Sequence, residues 1–160
     1  MPAWFEIFTL VTATTGAGLV GGIFFAFSNF VMKALGELDA AQGADAMQRI
    51  NVTVLNPLFF ALFFGTGFIA LIAGITTPDP WSSPGAMLSR IGAALYLFGT
   101  LGITIVFNVP LNEKLARTKL SDPDLAQTWT DYFAAWMWWN HVRTIAALLA
   151  TICFALAIAL

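Results

Sequence analysis

PLFFALFFGTGFIALIAGIT, residues Pro57 to Thr76, is a run of twenty residues without a charge. A helix needs about 20 mostly apolar residues to cross the roughly 30 Å hydrocarbon core of a bilayer. The run does not alternate apolar and polar side chains, as a barrel strand would. Its start is also marked. Asn56 offers a capping oxygen, and Pro57 takes the first helical position, where a missing N–H costs nothing. The stretch reads as a membrane-spanning helix.

Three more runs of this kind flank it: about Trp4 to Leu35, about Ala86 to Val109 and about Asn140 to Leu160. The fold class expected is therefore all-α, a four-transmembrane-helix bundle forming a single integral membrane domain over residues 1–160. Composition agrees. Of 160 residues, 59% are hydrophobic and 10% charged, against about 25% charged in soluble domains. The net charge of −2 and the absence of a basic block argue against a nucleic-acid partner. The lone Cys153 excludes an internal disulfide, a CxxC redox pair and a cysteine-built zinc site. The first apolar run carries Glu6, lacks a basic leader and is too long for a signal peptide, so it reads as the first span.

Between the first two spans, residues 39–55 read as a short interfacial amphipathic helix. Asp39 and Gln42 resemble a capping box, and Ala44, Met47, Ile50 and Val54 form its apolar stripe. Thr77–Pro80 is expected to be a turn, in a loop that runs through Pro84. Asp122-Pro123 repeats the cap-plus-proline start, so the last helix should begin at Pro123, with residues 123–139 extending from or along the membrane. Lys33, Arg49, Lys114, Arg117, Lys119 and Arg143 lie at one end of the spans and only Arg90 at the other. By the positive-inside rule, loops one and three are cytoplasmic, as in a bacterial inner membrane protein.

The polar residues of the spans gather at that same end: Asn29, Asn56, Asn108, Asn112, Asn140, His141 and Arg143. At 100° per residue, Gly18, Gly22, Phe25 and Asn29 share a face of the first span. Thr104, Asn108 and Asn112 share a face of the third. On the last, Trp129, Phe133, Trp136, Asn140, Arg143 and Thr144 lie together, with His141 about 100° from Asn140. Pro110 is expected to break the third span between Asn108 and Asn112, since it removes one N–H and frees the Val106 carbonyl. One histidine and one distant cysteine give no metal set.

Five stretches occur in order: GGIFFAFSNFVMKAL (Gly21–Leu35), AMQRIN (Ala46–Asn51), NP (Asn56-Pro57), FNVPLNEKLA (Phe107–Ala116) and WMWWNHVRT (Trp136–Thr144). Together the sequence resembles the anthrone-oxygenase-like family of small four-helix membrane proteins, over nearly its whole length. The resemblance implies a cofactor-independent oxygenase of a lipophilic, anthrone-like aromatic, with O₂ as co-substrate. On that reading His141 is the base. Arg143 and Asn108 stabilise the oxyanion, aided by Asn112 and Asn140. Phe25, Phe133 and Trp136 stack on the ring system, and Asn29 and Asn56 complete the substrate contacts. The alternative is a non-enzymatic protein that binds a lipid, a quinone or another small amphiphile. Membrane lipid is a partner on either reading, and homo-oligomerisation stays open.

Overall fold

The computed structural model describes residues 2–76 and 83–160; the turn expected at Thr77–Pro80 lies outside them. Among the described residues five helices follow in order: α1 (Ala3–Gly36), α2 (Ala40–Thr53), α3 (Pro57–Thr76), α4 (Pro84–Arg117) and α5 (Leu125–Ala159). All but α2 are long and apolar enough to cross a membrane. No strand occurs among the described residues. At about 1.5 Å per residue, α5 is about 50 Å long and exceeds a bilayer core.

The helix starts show which local signals act. Asn56 Oδ1 accepts the Phe59 N–H at 3.0 Å, so α3 begins as its sequence implies. Ser83 Oγ accepts the Ala86 N–H at 3.1 Å and starts α4 at Pro84, two residues ahead of the expected boundary. Asp39 occupies the N-cap position of α2, but its carboxylate makes no capping bond. Only its carbonyl is engaged, by the Gly43 N–H at 2.9 Å. At the head of α5, Asp122 Oδ1 accepts the Asp124 N–H at 3.0 Å. This local turn competes with helix formation, so α5 starts at Leu125 rather than Pro123.

Pro110 does not break α4, contrary to expectation. The helix runs on to Arg117. Just before the proline it widens into π-helical turns at Leu95–Gly102 and Thr104–Asn108, and the Val109 N–H reaches back to the Thr104 carbonyl. A wider turn moves carbonyls out of the path of the proline ring, so the strain is absorbed as a register change instead of a kink.

The long helix α5 packs against α1 and α4, and α1 also packs against α3. The inner face of α1 is Leu10, Ala13, Ala17, Val20 and Phe24. This is a correction. Phe25 and Asn29 were expected to contact a substrate on the face they share with Gly22, but all three face out, and a β-carbon at Gly22 would meet nothing within 4 Å. The Gly18–Gly22 spacing suggested that face. Because α1 is gripped by two neighbours, its buried arc is centred one residue, about 100°, away from it. Thr66 of α3 meets Gly16, and Ala147 of α5 meets Gly21.

The α3–α4 seam is closed along one half. A β-carbon at Gly74 would stand 2.8 Å from that of Ala93, and one at Gly67 would collide with Leu101. Three side chains of α4 donate to α3 carbonyls, each at 3.0 Å: Ser89 to Ala73, Arg90 to Gly74 and Tyr96 to Phe63. Tyr96 is fully buried, so Tyr96→Phe should cost about 1 kcal/mol. Thermal unfolding in detergent reads this as a small downward shift in Tm. At the opposite end, α2 lies under the bundle. Ala44 and Met47 pack on Met32 and Leu35 of α1, Leu115 of α4 and Trp129, Tyr132 and Trp136 of α5. Gln48 Nε2 donates to the Leu115 carbonyl at 2.7 Å and the Thr118 carbonyl at 3.1 Å, closing the C-terminus of α4.

Candidate functional site

On α5, residues Trp136, Asn140, Arg143 and Thr144 recur at a spacing of three and four, which places them on one face; all four are buried. Arg143 is 6% exposed. Its Nε and Nη2 both donate to Asn140 Oδ1, at 3.0 and 2.8 Å, and its Nη1 donates to Thr104 Oγ1 at 3.2 Å. The guanidinium carbon lies 3.9 Å from the ring centre of Phe24 and 5.0 Å from that of Trp136. Aromatic faces soften the loss of water around a cation. No carboxylate of the described residues forms an ion pair with it.

Asn140 holds this arrangement to α1. Its Nδ2 donates to the Phe24 carbonyl at 2.9 Å and to Ser28 Oγ at 2.8 Å. At that level α1 also widens into a π-helical turn, Phe27–Val31, in which the Met32 N–H reaches the Phe27 carbonyl. A side chain inserted at the head of the turn accounts for the register change. Thr144 Oγ1 donates to the Asn140 carbonyl at 2.6 Å. Wide turns in α1 and α4 thus flank one buried cation, a feature common at functional sites.

A cavity of about 340 Å³ adjoins Arg143. Phe24 and Phe27 of α1, Met47 and Asn51 of α2, Phe59 and Phe63 of α3, Thr104 and Asn112 of α4, and Trp136 and Arg143 of α5 all line it. Such a volume suits a small flat molecule. Three buried polar atoms have no hydrogen-bond partner among the described residues: Trp136 Nε1, Asn108 Oδ1 and Asn51 Nδ2. Two of these residues, Trp136 and Asn51, line the cavity.

The residues singled out from sequence fall into three groups. Arg143, Asn112 and Trp136 line the cavity. Asn108 and Asn140, both fully buried, stand behind it. Asn108 Nδ2 donates to the Trp136 carbonyl at 3.3 Å, and Asn112 Oδ1 accepts the Tyr132 hydroxyl at 2.9 Å. The other five lie elsewhere. Asn56 caps α3. Phe25 and Asn29 face outward. Phe133 packs on Gly36 and Trp129. His141 is exposed on the far flank of α5, with Nδ1 2.9 Å from Ser28 Oγ. It meets the site at one remove, through Ser28 and Asn140. Among residues that the sequence did not bring forward, Phe24, Phe27, Asn51, Phe63 and Glu113 line the cavity, and Ser28 joins His141 to Asn140. Phe24 is one position from Phe25, so a one-residue phase error conceals it. Asn51 and Glu113 reach the cavity only because α2 and the end of α4 fold under the bundle, which helical periodicity does not reveal.

The anthrone oxygenase family profile matches residues 45–153. The chain belongs to the anthrone oxygenase family. The matched segment runs from α2 to α5 and contains Asn51, Thr104, Asn108, Asn112, Trp136, Asn140 and Arg143. Of the α1 contacts, Phe24 and Ser28 lie outside it. Family membership supports an oxygenase-like role for the chain. No curated protein and no solved structure matches it.

Proposed function

We propose that the protein oxygenates a flat lipophilic aromatic of the anthrone kind, without a cofactor, in the cavity beside Arg143. The observation that carries this reading is a buried guanidinium, unpaired with any described carboxylate, at the back of an aromatic-walled cavity. Loss of a proton from the ring methylene of an anthrone gives an aromatic enolate with its charge on oxygen. That anion is electron-rich enough to reduce O₂ directly. The balance is one anthrone plus one O₂ giving one anthraquinone plus one water. One oxygen atom enters the ring carbon, and the other leaves with the two hydrogens of that carbon.

Each side chain then has a role. Arg143 stabilises the enolate oxygen, with the unpaired Trp136 N–H as a second donor. Fixed donors in a water-poor site act strongly on developing charge. Phe24, Phe27 and Phe63 pack on the rings. His141 reaches the cavity only through Ser28 and Asn140, so we assign it to holding Asn140 and not to taking the proton. The proton passes to Glu113, the carboxylate that lines the cavity at its α2 end. By the positive-inside rule, Lys33, Arg49, Lys114, Arg117 and Lys119 support a cytoplasmic position for the α2 end of the bundle.

The test is O₂ uptake by purified, detergent-solubilised protein supplied with an anthrone. One O₂ consumed per quinone formed, above the spontaneous rate, is the expected result. Folded protein without uptake overturns the reading in favour of a binding protein. His141→Gln keeps a hydrogen bond to Ser28 and is expected to retain turnover within about threefold, as a positioning residue should.

A further inference from the structure

The cavity has an opening that the reaction above does not explain. Along their closed half, α3 and α4 approach through Gly67 and Gly74. Below Gly65, where a β-carbon would meet nothing within 4 Å, the α3 sequence is PLFFALFF, without a glycine. Bulky side chains hold helices apart where glycines let them meet, and the cavity occupies the gap. Phe60 and Phe64 of α3 and Ile105 and Val109 of α4 line the cavity. The same four residues are among the exposed large hydrophobics on the outer surface of the bundle. Antiparallel pairing that sets Gly67 against Leu101 brings Phe64 level with Ile105 and Phe60 level with Val109. These four residues therefore form two jambs of one doorway.

We propose that the cavity is loaded sideways, through the gap between α3 and α4, by a flat lipophilic aromatic that carries one ionisable oxygen and is dissolved in the bilayer. The inference rests on the reading of the cavity as the substrate site. The occupant follows from complementarity. The jambs are wholly hydrocarbon and exposed on the outside of two helices long and apolar enough to cross a membrane. Arg143, the only cation lining the cavity among the described residues, lies at its back without an ion pair to any described carboxylate. A molecule that goes in oxygen-first leaves its rings between Phe60 and Val109 and brings its anion to the guanidinium. A two-chain phospholipid is too large for about 340 Å³. The competing route is from the aqueous interface, past Gln48, Glu113 and Ala116, which line the cavity at the α2 end.

The experiment uses Phe60→Cys with Val109→Cys in a Cys153→Ser background, reconstituted in phosphatidylcholine vesicles. A bifunctional methanethiosulfonate ties α3 to α4, and each single-cysteine variant carrying a monofunctional reagent controls for added bulk. The probe is anthracene-2-carboxylate preloaded in the vesicles. Its uptake is followed by energy transfer from tryptophan. The untied protein should bind saturably, and Arg143→Gln should weaken that binding. Tying the helices should slow uptake by about tenfold or more, and reducing the tie should restore it. Arg143-dependent binding whose rate ignores the tie overturns the doorway and leaves the site reading intact, pointing to the interfacial route. Absence of saturable binding in the untied protein overturns the site reading and the doorway with it.

Discussion

Arg143→Met is expected to lower anthrone turnover by about 10²–10³-fold while the protein stays folded. The rate loss is that of removing a fixed donor from a developing oxyanion, about 2.7–4 kcal/mol. Retained stability follows from what the arginine costs. A buried guanidinium without an ion pair has given up its water for two bonds to Asn140, one to Thr104 and two aromatic faces. Methionine fills similar volume without that desolvation, and such replacements of buried charge are often neutral or stabilising. The released Asn140 Oδ1 returns part of the gain, about 1–3 kcal/mol. Thermal unfolding in detergent, run beside O₂ uptake, separates the two effects: Tm near that of the parent with activity gone. Arg143→Lys should rescue little, because one ammonium cannot reproduce the two donors converging on Asn140 Oδ1 and the third on Thr104.

Asn140→Leu should produce the opposite signature, a large loss of stability. Asn140 is fully buried and makes four side-chain contacts: it accepts two N–H groups of Arg143 and donates to the Phe24 carbonyl and Ser28 Oγ. Its removal leaves the guanidinium with Thr104 as its one hydrogen-bond acceptor beside the two aromatic faces. Stranding a buried charge in this way costs about 3–5 kcal/mol. The double variant Asn140→Leu/Arg143→Met removes both the charge and the group that satisfies it, so it should recover much of the loss. A double-mutant cycle on unfolding free energies should therefore give a coupling of roughly 1.5–3 kcal/mol. Additive losses would show that Asn140 acts on α1 alone and does not carry Arg143.

The spans were legible because burial in lipid imposes length and apolarity on every residue of a crossing helix. Local punctuation was legible where one side chain acts on its own turn, as Asn56 does on α3. Boundaries slipped where a short-range bond competes, as at Asp122 before α5. The site was half legible. Arg143, Asn140 and Trp136 were recoverable because their spacing on one long α-helix fixes a common face. The face of α1 was not, because it depends on which two neighbours grip the helix, and the Gly18–Gly22 pair pointed one residue away. Pro110 was read as a break because its missing N–H is local, whereas the wide turns that absorb it need the rest of α4. His141 was assigned as the base on the resemblance, although its helical phase, about 100° from Asn140, already set it on the flank of that face, where the structure exposes it beside Ser28.

The most direct test of the account compares O₂ uptake with an anthrone for two variants of the folded, purified protein, Arg143→Met and His141→Gln. The account predicts that the first loses turnover by about 10²-fold or more, while the second stays within about threefold of the parent. The reverse order, with His141→Gln inactive and Arg143→Met active, would contradict it and move the chemistry out of the cavity to the outer face of α5.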